Sequence, residues 1–145
     1  MLNQDFREFV QSLNGNKVRY LVVGGYAVAF HGHPRYTKDL DVWIELSAVN
    51  AANMVRAMEE FGFASLGLQA EDFLVPDQVV QMGLPPNRID VLTWADGLEF
   101  EPCYASRVQA VIDGVRLEFI DLESLKKNKR AMGRAQDLAD LEELL

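Results

Sequence analysis

The sequence predicts an α/β (α+β) domain in which a mixed β-sheet is flanked by helices. Three observations predict it: a helical spacing comes first, apolar strand-like runs then alternate irregularly with helical segments, and a hairpin followed by a helical C-terminus ends the chain. The order is not a regular βαβ repeat, which argues against a doubly wound parallel sheet. With 145 residues and 49% apolar composition, the chain has the size of one domain, expected over 1–145, and enough apolar side chain for a core.

Phe6, Phe9, Val10 and Leu13 have helical spacing, and Asn14-Gly15-Asn16 ends that helix. Val18 to Val23 is a β-branched and aromatic run that reads as a buried strand. Gly24-Gly25 breaks it, and Tyr26 to His31 forms a short apolar helix closed by Gly32-His33-Pro34. A second strand covers Asp39 to Glu45. A helix over Ala48 to Phe61 follows, with Ala51, Met54, Val55, Met58 and Phe61 on one side, before Gly62. Phe73 to Gly83 holds one or two short strands around Pro76-Asp77, and Leu84-Pro85-Pro86-Asn87 is a turn. Arg88 to Thr93 is a third clear strand. Leu98 to Arg107 reads as a helix interrupted near Pro102. Asp113-Gly114 between Val108 to Val111 and Val115 to Phe119 signals a hairpin. Asp121 caps a C-terminal helix over Leu122 to Leu145, bent at Gly133.

No apolar run approaches the roughly 18–20 residues that span a bilayer, and the start shows no signal-peptide pattern. The single cysteine, Cys103, excludes an internal disulfide and reads as structural, so a reducing cytoplasm is the expected location. A net charge of −8 disfavours bulk nucleic acid as a partner and suits a cation-bound nucleotide better.

Chemistry concentrates in Thr37-Lys38-Asp39-Leu40-Asp41-Val42-Trp43-Ile44-Glu45. Side chains alternate in a strand, so Leu40, Val42 and Ile44 share the buried face while Asp39, Asp41, Trp43 and Glu45 share the other. Two carboxylates about 6.6–7 Å apart at Cα can converge on one or two cations, and Mg²⁺ or Mn²⁺ prefers such oxygens. Asp90, between Ile89 and Val91, is a lone acid in an apolar strand and completes a three-carboxylate site if the two strands are neighbours. The same acids also suit the solvated face of an antiparallel sheet. Upstream, Gly24-Gly25 joins an apolar strand to a helix start, a place where backbone N–H groups can approach phosphate.

Taken in order, Gly24-Gly25, Asp39-x-Asp41 and a distant strand acid at Asp90 resemble the signature of the DNA polymerase beta-like nucleotidyltransferase superfamily. The segment also carries Ala27, His31-Gly32 and Arg35-x-Thr37, and an Asp-Leu-x-Asp-Leu helix comes late. These features are similar to small bacterial members of abortive-infection and toxin–antitoxin type. The resemblance spans about Tyr20 to Leu145 and is strongest from Gly24 to Glu45. It implies the polymerase beta-like fold, two-metal catalysis with Asp39, Asp41 and Asp90 as catalytic and metal residues, and a nucleoside triphosphate substrate. The acceptor is left open among a protein hydroxyl, a tRNA end and a small molecule, and an antitoxin protein is an implied partner. Tyr26 stands where many members place a serine that helps hold phosphate.

Gly24, Gly25, Arg35, Thr37, Lys127 and Arg134 are the candidate phosphate-binding residues. Lys127, Arg130 and Arg134 are spaced to share one side of a continuous helix, although a solvated helix with internal ion pairs reads equally from the same charges. His31 and His33 are poor metal candidates and read as packing and loop residues. Leu138, Leu141, Leu144 and Leu145 read as core or a partner surface. The alternative to an enzyme is a non-catalytic nucleotide-binding or protein-interaction module that retains the fold.

Overall fold

A computed structural model of the chain describes residues 2–32, 37, 39–63, 66–83 and 87–145. Its strands are β1 (Tyr20–Val23), β2 (Asp39–Ile44), β3 (Val79–Met82), β4 (Arg88–Leu92), β5 (Val108–Ile112) and β6 (Val115–Phe119). They form one sheet in the order β3-β4-β2-β1-β6-β5. β2 runs antiparallel to β1 and parallel to β4, β6 runs parallel to β1, and the edge strands β3 and β5 are antiparallel to their neighbours. The expected mixed sheet is therefore present. Helices α1 (Gln4–Gly15), α2 (Gly24–His31), α3 (Ala48–Phe61), α4 (Phe100–Ala105), α5 (Leu122–Met132) and α6 (Ala135–Glu143) flank it. No described helix is long and apolar enough to cross a membrane.

Local chemistry explains most boundaries. Asn3 caps α1 by accepting from the Phe6 N–H at 2.8 Å, and Phe6, Phe9, Val10 and Leu13 are its buried stripe. Ser47 caps α3 by accepting from Asn50 N–H at 3.1 Å, and Gly62 at φ 102° ends it. The buried Asn50 side chain accepts from Arg19 N–H and donates to the carbonyls of Arg19 and Glu45, tying α3 to the neighbouring ends of β1 and β2. Asp113 at φ 52° and Gly114 at φ 80° give the β5–β6 hairpin its two-residue turn of the primed kind.

Several expectations shift, each for a local reason. The first strand begins at Tyr20, because Val18 N–H bonds Leu13 O at 3.0 Å and completes the end of α1. Gly24 and Gly25 belong to the first turn of α2 rather than to a loop before it. Between Phe73 and Gly83 there is one strand, since Ala70–Phe73 is a 3₁₀ turn and Asp77 takes φ 55°. Pro102 lies in the first turn of α4, where its missing N–H costs nothing, and does not interrupt the helix. The bend expected at Gly133 is a break: Gly133 takes φ 65°, Arg134 is extended, and α6 starts anew. Lys127, Arg130 and Arg134 consequently do not share one continuous helical face. The turn predicted over Leu84-Pro85-Pro86 lies outside the described residues.

Leu40, Val42 and Ile44 are buried in the core, as the alternation requires. Trp43 on the opposite face is also buried, edge-on to Phe100 of α4 at 5.2 Å between ring centres. That face of β2 is thus covered at Trp43, while Asp39 and Asp41 remain half-buried. Cys103 is buried, and burial pushes its thiol above the ordinary range, consistent with a structural role.

Candidate active site

β2 and β4 are direct neighbours, in a register that places Asp39 beside Arg88 and Asp41 beside Asp90. Alternation then puts Asp39, Asp41, Arg88 and Asp90 on one face of two adjacent strands. Asp90 is only 7% exposed. The Asp41 and Asp90 carboxyls are within hydrogen-bonding contact, and burial together with the charge of Asp90 pushes the Asp41 carboxyl up to about 7. Near neutral pH Asp41 is therefore partly protonated in the absence of a cation.

Arg88 is a member of this cluster that the sequence reading did not single out. Its Nη2 lies 2.8 Å from Asp39 Oδ2 and 3.3 Å from Asp90 Oδ2, and its Nε lies 3.2 Å from Asp90 Oδ1. The last pair is an ion contact without hydrogen-bond geometry, which leaves Arg88 Nε and Asp90 Oδ1 buried and without a hydrogen-bond partner. Among the described residues no three His, Cys, Asp or Glu side chains gather as a ready-made metal site, and Asp39 is engaged by Arg88. The spacing of Arg88 two residues before Asp90 was the available signal, since it puts both on one strand face.

The glycine pair meets the acids directly. Gly24 has φ +66°, and a Cβ built there would stand 2.1 Å from Asp41 Oδ2 and 3.0 Å from Asp41 Cβ. The carboxylate thus packs on the bare glycine at the start of α2, whose N-cap residue Val23 offers no side-chain hydrogen bond. A helix start leaves its first-turn N–H groups without partners inside the helix, and its dipole favours negative charge there. Gly24→Ala is expected to cost about 2 kcal/mol, from the left-handed backbone and the contact with Asp41. Chemical denaturation measures the loss, and a change under 0.5 kcal/mol would refute the close packing.

These residues open into a cleft of about 430 Å³ whose lining includes Gly24, Gly25, Asp39, Asp41 and Asp90. Its far wall comes from α5 and α6 through Asn128, Lys129 and Arg134. Of the remaining sequence candidates, Thr37 is half-buried just before β2 and Lys127 is exposed on α5, and neither is among the cleft-lining residues. Arg35, Lys38 and His33 lie outside the described residues. His31 turns to the core side, with Nε2 2.7 Å from Ile120 O. The Tyr26 ring packs edge-on to Phe6 at 5.7 Å, and Tyr26 is not a lining residue.

A buried ion cluster supports the far wall. Lys129 Nζ lies 3.4 Å from Asp137 Oδ1 and 3.1 Å from Asp140 Oδ2, all three side chains being less than a tenth exposed. Arg134 grips Asp137 through Nε at 2.7 Å and Nη2 at 3.2 Å, and Gln136 donates to Asp140 at 2.7 Å. Burial would raise Asp137, but the hydrogen bond from Arg134 and the charge of Lys129 outweigh it and hold the carboxyl below its usual range. Leu138, read from the sequence as core or a partner surface, is 51% exposed, while Leu144 is buried. Nothing in local periodicity reports this inversion of α6, because Lys129 reaches its acids across the Gly133 break.

No family model and no curated protein matches the sequence. Solved structures match the fold. A Thermotoga maritima protein described as a candidate nucleotidyltransferase shares 16% identity at a TM-score of 0.57, over 94% of this chain and 88% of that one. ANT(2″)-Ia, solved in complex with adenylyl-2″-tobramycin, shares 12% identity at 0.58, over 96% and 84%. An antigenic nucleotidyltransferase-like protein from Paracoccidioides brasiliensis shares 15% identity at 0.58, over 99% and 75%. With the mixed sheet and its flanking helices, these likenesses establish that the chain has the nucleotidyltransferase fold.

Proposed function

We propose that the chain transfers a nucleoside monophosphate from a nucleoside triphosphate to a hydroxyl acceptor. The observation that carries this reading is the in-register Asp41–Asp90 pair, with Asp39 on the same face and Gly24 bare against Asp41. In the reaction the acceptor oxygen bonds the α-phosphorus as the bond from that phosphorus to the β-phosphate oxygen breaks. Pyrophosphate leaves, and the hydroxyl proton passes to the Asp90 carboxylate. Gly24 and Gly25 offer main-chain N–H groups to the β- and γ-phosphates. Because Tyr26 packs on Phe6, this cradle works without a side-chain hydroxyl after the glycines.

The donor set suits a hard divalent cation: it is all carboxylate oxygen, two members are like charges in contact, and Asp90 Oδ1 is buried without a hydrogen bond. Mg²⁺ or Mn²⁺ held by Asp39, Asp41 and Asp90 would neutralise the acids and polarise the phosphate. With those acids neutralised by a cation, Arg88, which contacts Asp39 and Asp90 in its absence, would be available to a phosphate oxygen.

Incubation with labelled nucleoside triphosphates, Mg²⁺ or Mn²⁺ and cell extract tests the proposal and identifies the acceptor as protein, tRNA or small molecule. Transfer of label is expected from the native chain and not from Asp39→Ala/Asp41→Ala. The resemblance of the Gly24 to Glu45 segment to toxin-type members extends the proposal to a growth-arresting role with an antitoxin protein as partner. Growth arrest on expression, absent in the same double variant, is the expected sign. The hold of Arg88 on two of the three acids favours one second reading, a nucleotide-binding module without transfer. Cation-dependent binding with no label transfer to any acceptor would establish it.

A further inference from the structure

We propose that Trp94 is a preorganised stacking platform for the nucleobase of the donor nucleotide, an inference that rests on the nucleotidyl-transfer reading. Asp90, Leu92 and Trp94 follow one another at two-residue steps, and all three line the cleft. The wall therefore grades from carboxylate through apolar to aromatic. Leu92, the last residue of β4, stands about 7 Å along the strand from Asp90, and Trp94 follows just past the strand's end. Met132 of α5 lines the same cleft. The acids and the glycine pair supply the groups that phosphates require, so the apolar and aromatic part is left for the base. One cleft of about 430 Å³ serving both is of a size for a single small-molecule ligand.

The platform is fixed before any ligand arrives. The Trp94 indole Nε1 donates to Asp96 Oδ1 at 3.0 Å. Asn128 Nδ2 donates to the Asp96 carbonyl at 3.0 Å and pins the same turn to α5. Gly97, at φ +78°, approaches α5 so closely that a Cβ there would stand 2.8 Å from the Ala131 Cβ. A ring held this way loses little freedom on binding. Trp94 is half-buried, with ring surface left for a base, whereas Trp43 is 2% exposed against Phe100 and has none to offer.

The test uses calorimetry on the whole chain in Mg²⁺, with ATP, GTP and inorganic tripolyphosphate as probes. Trp94→Ala is expected to weaken ATP and GTP by about ten- to a hundredfold, the usual worth of base stacking, and to leave tripolyphosphate unchanged. Trp94→Phe keeps an aromatic face and most of the affinity. ATP is expected to quench the indole emission of the native chain but not of Trp94→Phe, in which only the buried Trp43 remains, and this result decides the matter should Trp94→Ala fail to fold. Equal ATP and GTP affinity in Trp94→Ala and the native chain would overturn the platform while leaving the transfer reading intact. An equal loss for tripolyphosphate also overturns it. So does a loss confined to a short oligoribonucleotide, which would assign the ring to an acceptor base. A native chain that binds neither ATP nor tripolyphosphate overturns the transfer reading as well.

Discussion

Asp41→Asn is expected to lower nucleotidyl transfer by about 10³-fold, on the order of 4 kcal/mol of transition-state stabilisation, and at the same time to stabilise the cation-free protein above neutral pH. The two effects have one origin. The carboxyl is pressed against Gly24 and Asp90, where burial and a like charge oppose ionisation and move it from 3.8 to about 7. Between those values the fold holds a proton that the unfolded chain has released. Stability therefore falls as pH rises through this window, is unaffected by Asp41 below it, and carries the whole penalty above it. At about 1.4 kcal/mol per unit the penalty reaches at most about 4 kcal/mol. In chelator, the native chain should melt about 5–10 °C lower at pH 8 than at pH 5, and Asp41→Asn should remove most of that difference. Mg²⁺ or Mn²⁺ should restore the native chain at pH 8 by taking the place of the proton. Thermal melts across pH, with and without cation, measure all three. An Asp41→Asn profile parallel to the native one would show that this carboxyl is not the strained group. Full transfer activity in the variant would remove Asp41 from the chemistry.

What could be read from the chain follows the range of the interactions involved. Strand alternation put Asp39 and Asp41 on one face and Asp90 on the face of its strand opposite Ile89 and Val91, because side-chain direction is a property of two or three residues. The adjacency of β2 and β4 is not local. Asp41 and Asp90 are 49 residues apart in sequence and meet through a parallel pairing that no short pattern encodes. Arg88 was visible as a strand residue, but its role depends on lying beside Asp39 in that same register. Apolar spacing located α1 and α3 well, since each buries a stripe of its own. It left open whether the leucines of α6 are core or a partner surface, and did not show that Leu138 faces outward while Asp137 and Asp140 face inward. The charge that makes this inversion tolerable sits on α5, and the Gly133 break that aims it is a change of backbone direction. The basic run beginning at Lys126 likewise looked like one helical face, but the break sends Arg134 to Asp137 and leaves Lys127 exposed.

That inversion leads to the largest stability effect expected from a single side chain. Lys129→Met keeps the length and packing of the aliphatic stem and removes only the ammonium. Asp137 would keep Arg134, whose side chain is 67% exposed, whereas Asp140 would lose the ammonium at 3.1 Å and keep the neutral amide of Gln136. Removing one member of a buried ion cluster takes away an opposite charge that buried acids cannot replace with water, which typically costs about 3–5 kcal/mol. The loss should concentrate where the charge is left. α6 should open first, with faster amide exchange from Ala135 to Glu143 than in α1 or α3. A compensating variant separates charge from packing: Lys129→Met/Asp140→Leu removes the cation together with the acid nearest to it, and should regain most of the stability. Urea denaturation of the native chain and both variants measures this. A single-variant loss below 1 kcal/mol, or no recovery in the double, would show that water reaches these acids. Because Lys129, Asp137 and Asp140 also line the cleft, the double variant carries a functional consequence as well. It should refold α6 yet leave the far wall of the cleft without the Lys129 and Asp140 charges, so nucleoside triphosphate binding reports what those two contribute beyond support.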